Sequence, residues 1–423
     1  MKWICSQIGA REHYAVPRVL HRAGKLSRFY TDLWAGTMWQ TLGTLSGRSV
    51  FGTRFHKELA DAKVTSFDVT TVIDSVFGGE VKKNPYNWFH YVGKDFGTRI
   101  VESLQRQKKI NWKETIFFGY DTGFFEPAQW INQRGGKTIV CQMDPSRFEV
   151  ELVREEGRRW PGLAKKPLDV PENYFKRREA EWAIADLVMV NSEWSKHALM
   201  KQGVSERKLV VVPLAFEARN PRLSTLAPRL STLDPRLDSV TSSRPLTFDS
   251  RRKLRVLFLG QVILRKGIQY LIEAARMLEN ESVHFDVVGR IGISEKGVKA
   301  APKSMAFHGP VNRDRTEEFY RNADLFVLPT LSDGFALTQL EAMAHGLPLI
   351  TTPNCGDVVT DGIDGLIVPA SDPNALAEAI QLILQDPDQL RSMSEATHTK
   401  VEQFSLGRLG QNLAALEQRL IAS

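Results

Sequence analysis

Short, nearly unbroken apolar runs recur along this chain, and between them apolar residues return every three or four positions. The runs at 3–8, 26–30, 115–119 (TIFFG), 138–142 (TIVCQ), 187–191 and 208–213 read as strands covered on both faces. The helical period covers 12–23, 87–109, 172–185 and 193–201. The stretch 68–72 reads as one more strand, whereas 35–60, rich in Gly, Thr and aromatic residues, follows neither period. After residue 252 the alternation restarts. Strands are predicted at 255–260, 284–289, 305–309, 325–329, 349–352 and 366–369, and helices at 267–279, 314–321, 336–345, 373–385 and 408–421. Strands that alternate with helices form parallel sheets with helices on both faces. The expectation is α/β, two doubly wound domains in tandem facing a cleft, with ligands beyond the carboxyl ends of the strands.

Residues 217–252 interrupt the pattern. They hold a tandem repeat of seven, PRLSTLA, PRLSTLD and PRLDSVT, starting at Pro221, Pro228 and Pro235. Proline and polar residues there offer no core face, which makes the segment a linker or exposed insertion. The expected organisation is therefore a first domain at 1–216, the repeat at 217–252, a second domain at 253–400 and a last helix at 401–423.

Composition narrows the class. At 423 residues the chain exceeds one ordinary core, and 42% hydrophobic with 25% charged residues is globular. No run of eighteen apolar residues occurs, so no spanning helix is expected, and MKWICSQIGA lacks the long apolar stretch of a secretion signal. Cys5, Cys141 and Cys355 show no metal spacing, which favours a reducing cytoplasm. The net charge of +7 is uneven: residues 1–216 hold 33 Lys and Arg against 24 Asp and Glu, while 217–423 hold 23 against 25. A basic first half admits nucleic acid, anionic lipid or an acidic substrate, and equally an ordinary solvated surface.

Three segments carry candidate chemistry. The first is Gly260-Gln261-Val262-Ile263-Leu264-Arg265-Lys266-Gly267, between a strand end and a helix start. Cations oppose the dipole at a helix N-terminus, so an adjacent pair there is either a solvated basic turn or a holder for a diphosphate. The second is Ser332-Asp333-Gly334 with the following helix. The amides of Gly334, Phe335 and Ala336 are placed to meet a phosphate, although Ser332 or Asp333 is also an ordinary N-cap. Glu341, on a helix otherwise of Leu, Ala and Met, is either solvated or satisfied by two donors such as a ribose diol. The third is Cys141-Gln142-Met143-Asp144-Pro145, which puts Asp144 at a carboxyl edge, as a cleft group or a turn former. Gly9-Ala10 after the first strand would let backbone approach a ligand. Gly-x-Gly-x-x-Gly and Walker motifs are absent, Asp386-Pro387-Asp388 has the look of a turn, and the nine His residues show no metal spacing.

Taken together, these residues resemble the family 4 retaining glycosyltransferases of the two-Rossmann-domain (GT-B) fold, within the glycosyl transferases group 1. The resemblance is densest over 255–369. It runs through the 260–267 loop, Val287-Val288-Gly289, Phe307-His308-Gly309-Pro310-Val311, Val327-Leu328-Pro329, Asp333 with Glu341 and its Ala342-Met343-Ala344, and Asp361-Gly362 to Val368. Ala185 to Ser192 and 210–213 look like the end of that family's first domain. The resemblance implies transfer of a sugar from a nucleotide-sugar with anomeric retention, without a metal or other cofactor. Arg265 and Lys266 would hold the diphosphate, Glu341 the ribose and Asp333 the donor-sugar hydroxyls. The amides of Phe335, Ala336 and Leu337 would meet phosphate or sugar, the base would lie near Arg290 and Val311, and the last helix would return to the first domain. The chain departs from the family at four places. Asp333 replaces a Glu, Gln261 replaces an Arg, Met143-Asp144 stand where a His is usual, and the glycine-rich acceptor loop is reduced to Gly9-Ala10. Asp144 is thus a positional candidate for the catalytic, sugar-contacting group, alongside Asp333.

The expected partners are a nucleotide-sugar donor, a glycan or lipid-linked acceptor and, through a basic first domain carrying Arg106, Lys108 and Lys109, an anionic membrane surface. The expected setting is the cytoplasm, at the inner face of the plasma membrane, in surface polysaccharide or glycolipid synthesis, with no nucleic-acid partner. A nucleotide-sugar epimerase of the same fold, or a non-catalytic nucleotide-sugar-binding relative, are the alternatives.

Overall fold

The computed structural model describes residues 1–35, 54–68, 84–165, 168–217 and 253–422. The seven-residue repeat therefore lies outside the described residues, as do 69–72. In chain order the strands are β1 (Lys2–Gln7), β2 (Leu26–Thr31), β3 (Val64–Ser66), β4 (Thr115–Tyr120), β5 (Lys137–Gln142), β6 (Leu187–Val190) and β7 (Leu209–Val211). They continue with β8 (Leu254–Leu259), β9 (Val283–Val288), β10 (Met305–Gly309), β11 (Leu325–Leu328), β12 (Leu349–Thr351) and β13 (Gly365–Ile367). The helices are α1 (Ala15–Arg22), α2 (Pro85–Gln105), α3 (Phe125–Asn132), α4 (Arg147–Arg159), α5 (Glu172–Ile184) and α6 (Glu193–Lys201). After them come α7 (Ile268–Met277), α8 (Glu295–Lys299), α9 (Arg313–Asn322), α10 (Thr338–Ala344), α11 (Pro373–Gln385), α12 (Pro387–Val401) and α13 (Leu406–Ala422).

Two parallel sheets result, ordered β3-β2-β1-β4-β5-β6-β7 and β10-β9-β8-β11-β12-β13. Each is doubly wound and Rossmann-like, as the alternation of strands and helices requires. In each the chain reverses direction across the sheet beside its first strand, between β1 and β4 and between β8 and β11. The loops that follow those neighbouring strands are therefore brought together at the carboxyl edge.

Two compact units contain these sheets. The first comprises Met1–Phe148, Leu168–Ala215 and Leu406–Ser423, and the second Glu149–Pro167 and Phe216–Ser405. In the first unit the strand period of two sorts side chains cleanly. Trp3, Cys5, Phe29, Ile116 and Phe118 pack on one face with α1 and with Leu409, Leu413, Leu416 and Leu420 of α13. Ile4, Tyr30, Phe117 and Val140 pack on the other with Phe96 and Ile100 of α2, Ala128 of α3 and Trp182 of α5. Inside the second unit, Glu156 of α4 accepts from Gln269 Nε2 (3.0 Å) and Tyr270 Oη (2.8 Å) of α7.

Several expected elements move. Val64–Ser66 forms a strand that the apolar pattern did not mark, while the strand expected at 68–72 falls, after Asp68, outside the described residues. The apolar period does not mark α4, which is mostly charged, or α12, which is mostly polar. Asp386 Oδ1 accepts from Gln389 N (2.9 Å) and caps α12, so the Asp386-Pro387-Asp388 turn is a helix start. The predicted helix 336–345 begins only at Thr338, because Ala336 has φ +62° and cannot continue a right-handed helix. It ends as expected at Gly346, where Gly346 N bonds Met343 O and Leu347 N bonds Ala342 O, the paired closure of a left-handed C-terminal glycine.

Candidate functional site

In the second unit the loops after β8 and β11 meet. The first is a tight 3-10 turn, Leu264–Lys266, closed by Gly267 at φ +73°. A Cβ on Gly267 would lie 1.7 Å from Pro329 O, so only glycine admits this approach. The turn is pinned to its neighbour by Leu331 N to Arg265 O (2.8 Å), Thr330 Oγ1 to Arg265 O (3.1 Å) and Arg265 Nη1 to Ser332 O (2.8 Å). Arg265, Lys266 and Asp333, far apart in sequence, thereby share one cluster. The Lys266 ammonium pairs with the Asp333 carboxylate, and Arg265 Nη1 lies 3.5 Å from the same carboxylate.

A group that sequence reasoning missed completes the cluster. Glu149 Oε2 lies 3.5 Å from Arg265 Nη1 and accepts from Ser332 Oγ at 2.8 Å. Nothing in the local pattern around Glu149 marked it, since EVELVREE is mostly charged and shows no clear apolar period. Burial, with the neighbouring Arg265 charge, pulls the Lys266 ammonium down to about 7, against the opposing pull of Cys355 and the Glu149 carboxylate. Two cations and two carboxylates therefore balance in a largely buried space. An added anion must exchange with one of the carboxylates or meet its repulsion.

The other expected donor-side residues lie in the same unit. Asp333 Oδ1 accepts from Phe335 N (3.3 Å), so this amide is engaged by the side chain that precedes it. Gly334 and Phe335 are buried, while Ala336 and Leu337 are partly exposed and precede α10. The amides of 334–336 thus belong to the lead-in loop rather than to the first helical turn, which corrects the expected geometry. Glu341 sits in a separate network. Its Oε2 accepts from Tyr320 Oη at 2.9 Å, Tyr320 stacks on His345 at 4.9 Å, and His345 Nδ1 is 2.7 Å from Glu341 O. Tyr320 and His345 were not singled out for this role, since they come from different segments. Arg290 is exposed, its carbonyl accepting from Val262 N (3.0 Å), and Val311 is partly exposed.

The first unit has a cavity of about 550 Å³ at the carboxyl ends of its strands. Asp144 lines it and behaves both as a turn former and as an ion-pair partner. Its Oδ1 accepts from Ser146 N (2.8 Å), and Arg178 Nη2 is 3.1 Å from its Oδ2. The same guanidinium bonds Asp121 at 2.5 Å, and Gln142 Nε2 joins Asp121 at 3.1 Å. Gly9 stands on the neighbouring loop, its N–H donating to Asp32 Oδ1 (2.9 Å), which also takes Arg54 Nη1 (2.8 Å). Beneath the cavity, burial pushes the Glu181 carboxyl up to about 7, although it accepts from Thr122 N (2.9 Å) and Phe124 N (3.2 Å). Burial likewise raises Glu12 to about 7, against the hydrogen bond from Tyr120 Oη (3.1 Å).

Two tandem Rossmann-like domains define the GT-B class of fold. Solved structures of that class cover the whole chain. Sucrose-phosphate synthase of Thermosynechococcus elongatus aligns over 100% of both chains with TM-score 0.60 at 16% identity. The Anabaena protein HepE, in complex with UDP and glucose, aligns over 99% of this chain and 100% of that one with TM-score 0.58 at 13% identity. Residues 253–386, which hold Arg265, Lys266, Asp333 and Glu341, match the family model of the glycosyl transferases group 1. An uncharacterized glycosyltransferase of Methanocaldococcus jannaschii is 28% identical over 31% of this chain and 36% of its own length. The D-inositol 3-phosphate glycosyltransferase of Xylanimonas cellulosilytica is 26% identical over 65% of this chain and 66% of its own length. The chain thus spans less than two thirds of the length of these curated relatives.

Proposed function

We propose that this chain is a family 4 glycosyltransferase that moves a sugar from a nucleotide-diphosphate sugar to a glycan or lipid-linked acceptor, with retention and without a metal. The observation that carries the reading is the convergence of Arg265, Lys266 and Asp333 inside the segment that matches the glycosyltransferase family model. Relatives named as glycosyltransferases, and a fold neighbour complexed with UDP and glucose, support a nucleotide-sugar donor.

In this reading the diphosphate takes over Lys266 and Arg265, and Asp333, released from Lys266, turns to the donor-sugar hydroxyls. The bond from the anomeric carbon to the diphosphate oxygen breaks. The acceptor oxygen bonds the same face of that carbon, and its proton leaves with the nucleoside diphosphate. Arg265 and Lys266 offset the charge that grows on the leaving group, which is stabilisation aimed at the transition state. Tyr320 holds Glu341 in place for the ribose. Asp144, on the first-unit cavity, is the acceptor-side candidate.

The proposed setting is surface polysaccharide or glycolipid synthesis at the inner face of the plasma membrane. Arg106, Lys108 and Lys109 are exposed and offer charge to anionic lipid, and no helix among the described residues is long and apolar enough to cross a membrane. Pelleting with anionic and neutral vesicles tests the lipid contact, and equal absence from both pellets removes it. Incubation with a panel of nucleotide-sugars and acceptors tests the activity. Nucleoside diphosphate release that requires acceptor supports transfer. Conversion of the sugar nucleotide without acceptor makes the chain an epimerase, and binding without turnover makes it a non-catalytic relative.

A further inference from the structure

The first-unit cavity has the size of a small-molecule site, about 550 Å³ against roughly 300–1,000 Å³ for such pockets. Its described lining has four arginines and four aspartates. The basic excess of residues 1–216 is therefore not concentrated there. Three of the arginines are already engaged: Arg54 with Asp32 at 2.8 Å, Arg99 with Asp95 at 2.6 Å and Arg178 with Asp121 at 2.5 Å. The fourth, Arg11, lies over the Tyr120 ring at 5.6 Å.

This charge pattern separates two kinds of guest. A phosphate only accepts hydrogen bonds, and here it would find three of the four guanidinium groups committed to carboxylates, and four carboxylates repelling it. A hydroxyl both donates and accepts, so a vicinal pair can bond the carboxylate and the guanidinium of one ion pair without breaking it. The buried lining also holds one acceptor and one donor with no hydrogen-bond partner, Asp121 Oδ1 and Arg178 Nε.

The lining is also aromatic. Trp88 and Phe89 of α2 and Tyr174 of α5 belong to it, and Trp88 stacks with Tyr91 at 5.8 Å. Phe89 stays 49% exposed although large and apolar, so it contributes little to the core. Flat apolar faces beside bidirectional hydrogen-bonding groups match the two surfaces of a pyranose ring, its C–H face and its hydroxyl rim.

We infer that this cavity receives an uncharged, polyhydroxylated acceptor, the terminal sugar ring of a neutral glycan, and discriminates against a phosphate placed in it. The inference rests on the glycosyltransferase reading for the word acceptor, and on the cavity alone for the chemistry of the guest.

The test uses the full chain. Glucose, galactose, mannose and N-acetylglucosamine, with the 6-phosphate of each, are titrated by saturation-transfer NMR, and UDP and GDP are titrated in parallel by calorimetry. At least one neutral sugar binds, and its 6-phosphate binds about tenfold more weakly or worse. Trp88→Ala and Phe89→Ala each weaken the neutral sugar by about tenfold and leave nucleotide affinity unchanged. Tighter binding of the phosphorylated sugar overturns the inference. So does unchanged sugar affinity in both variants, or nucleotide binding with no neutral sugar bound. Sugar binding without nucleotide binding leaves the cavity assignment standing and removes the donor reading.

Discussion

At the scale of single residues, the second-unit cluster is decided by how four charges divide one space. Lys266 and Arg265 face Asp333 and Glu149 in surroundings that exclude most water. Removing one cation leaves two carboxylates over a single positive charge. Lys266→Ala therefore weakens nucleoside diphosphate binding by about tenfold or more, with a much smaller effect on the free nucleoside. Calorimetry with both ligands measures the difference, and equal losses would remove the diphosphate role. Glu149→Gln acts in the other direction. It keeps an acceptor for Ser332 Oγ but removes one charge that a diphosphate must approach, so nucleoside diphosphate affinity rises several-fold. A loss of affinity in this variant would mean that Glu149 serves the ligand directly.

At the scale of elements, two contacts set how loops and helices are held. The turn ending at Gly267 passes under Pro329 O with no room for a side-chain carbon. Gly267→Ala forces the β8 and β11 loops apart and costs about 3 kcal/mol or more, read as a lower unfolding midpoint together with weaker nucleotide binding. Helix α13 is fastened to the first sheet by Glu417, which takes Trp3 Nε1 (2.9 Å), Lys25 Nζ (2.9 Å) and the amino group of Met1 (2.8 Å). These donors outweigh the cost of burial and hold its carboxyl down to about 2. A carboxyl lowered in the folded state binds protons less readily there than in the unfolded chain, whose ordinary value is about 4.3. Its stabilisation is therefore full above about 4.3 and is lost as pH falls toward 2. Glu417→Gln lowers stability at neutral pH and flattens this part of the acid unfolding profile. An unchanged profile in chemical denaturation between pH 2 and 5 would count against the fastening.

At the scale of the molecule, each compact unit has its own sheet and its own core. The donor cluster lies wholly in the second unit, with Glu149 supplied by the segment Glu149–Pro167. On the proposed function, nucleoside diphosphate would bind only the folded second unit and stabilise it by mass action. Scanning calorimetry is expected to resolve two transitions, only one of which rises with added nucleoside diphosphate. The Lys266→Ala variant loses that rise. A single transition that moves as a whole would show the two units to unfold together.

Periodicity alone marked out both sheets apart from β3, because a strand covered on two faces must be apolar throughout while the helix between carries one apolar stripe. It located Arg265, Lys266, Asp333 and Glu341 within their loops and helix, since punctuation by Gly267, Gly334 and Gly346 is local. It could not place α4 or α12, whose charged and polar surfaces respectively hide a short apolar face. Nor could it start α10 correctly, because the left-handed Ala336 has no signature in composition. Only the tertiary structure decided which charges meet. Asp333 reaches Lys266, and Glu149 reaches Arg265, because β8 and β11 are neighbours in the sheet and because 149–167 belongs to the second unit. The cavity's balance of Arg and Asp was equally out of reach, since a net charge summed over 216 residues does not record where ion pairs form. What the sequence by itself determined is the order of strands and helices and the residue types at their ends. The through-space pairing of those ends, which sets charge, affinity and the class of guest, is a property of the fold.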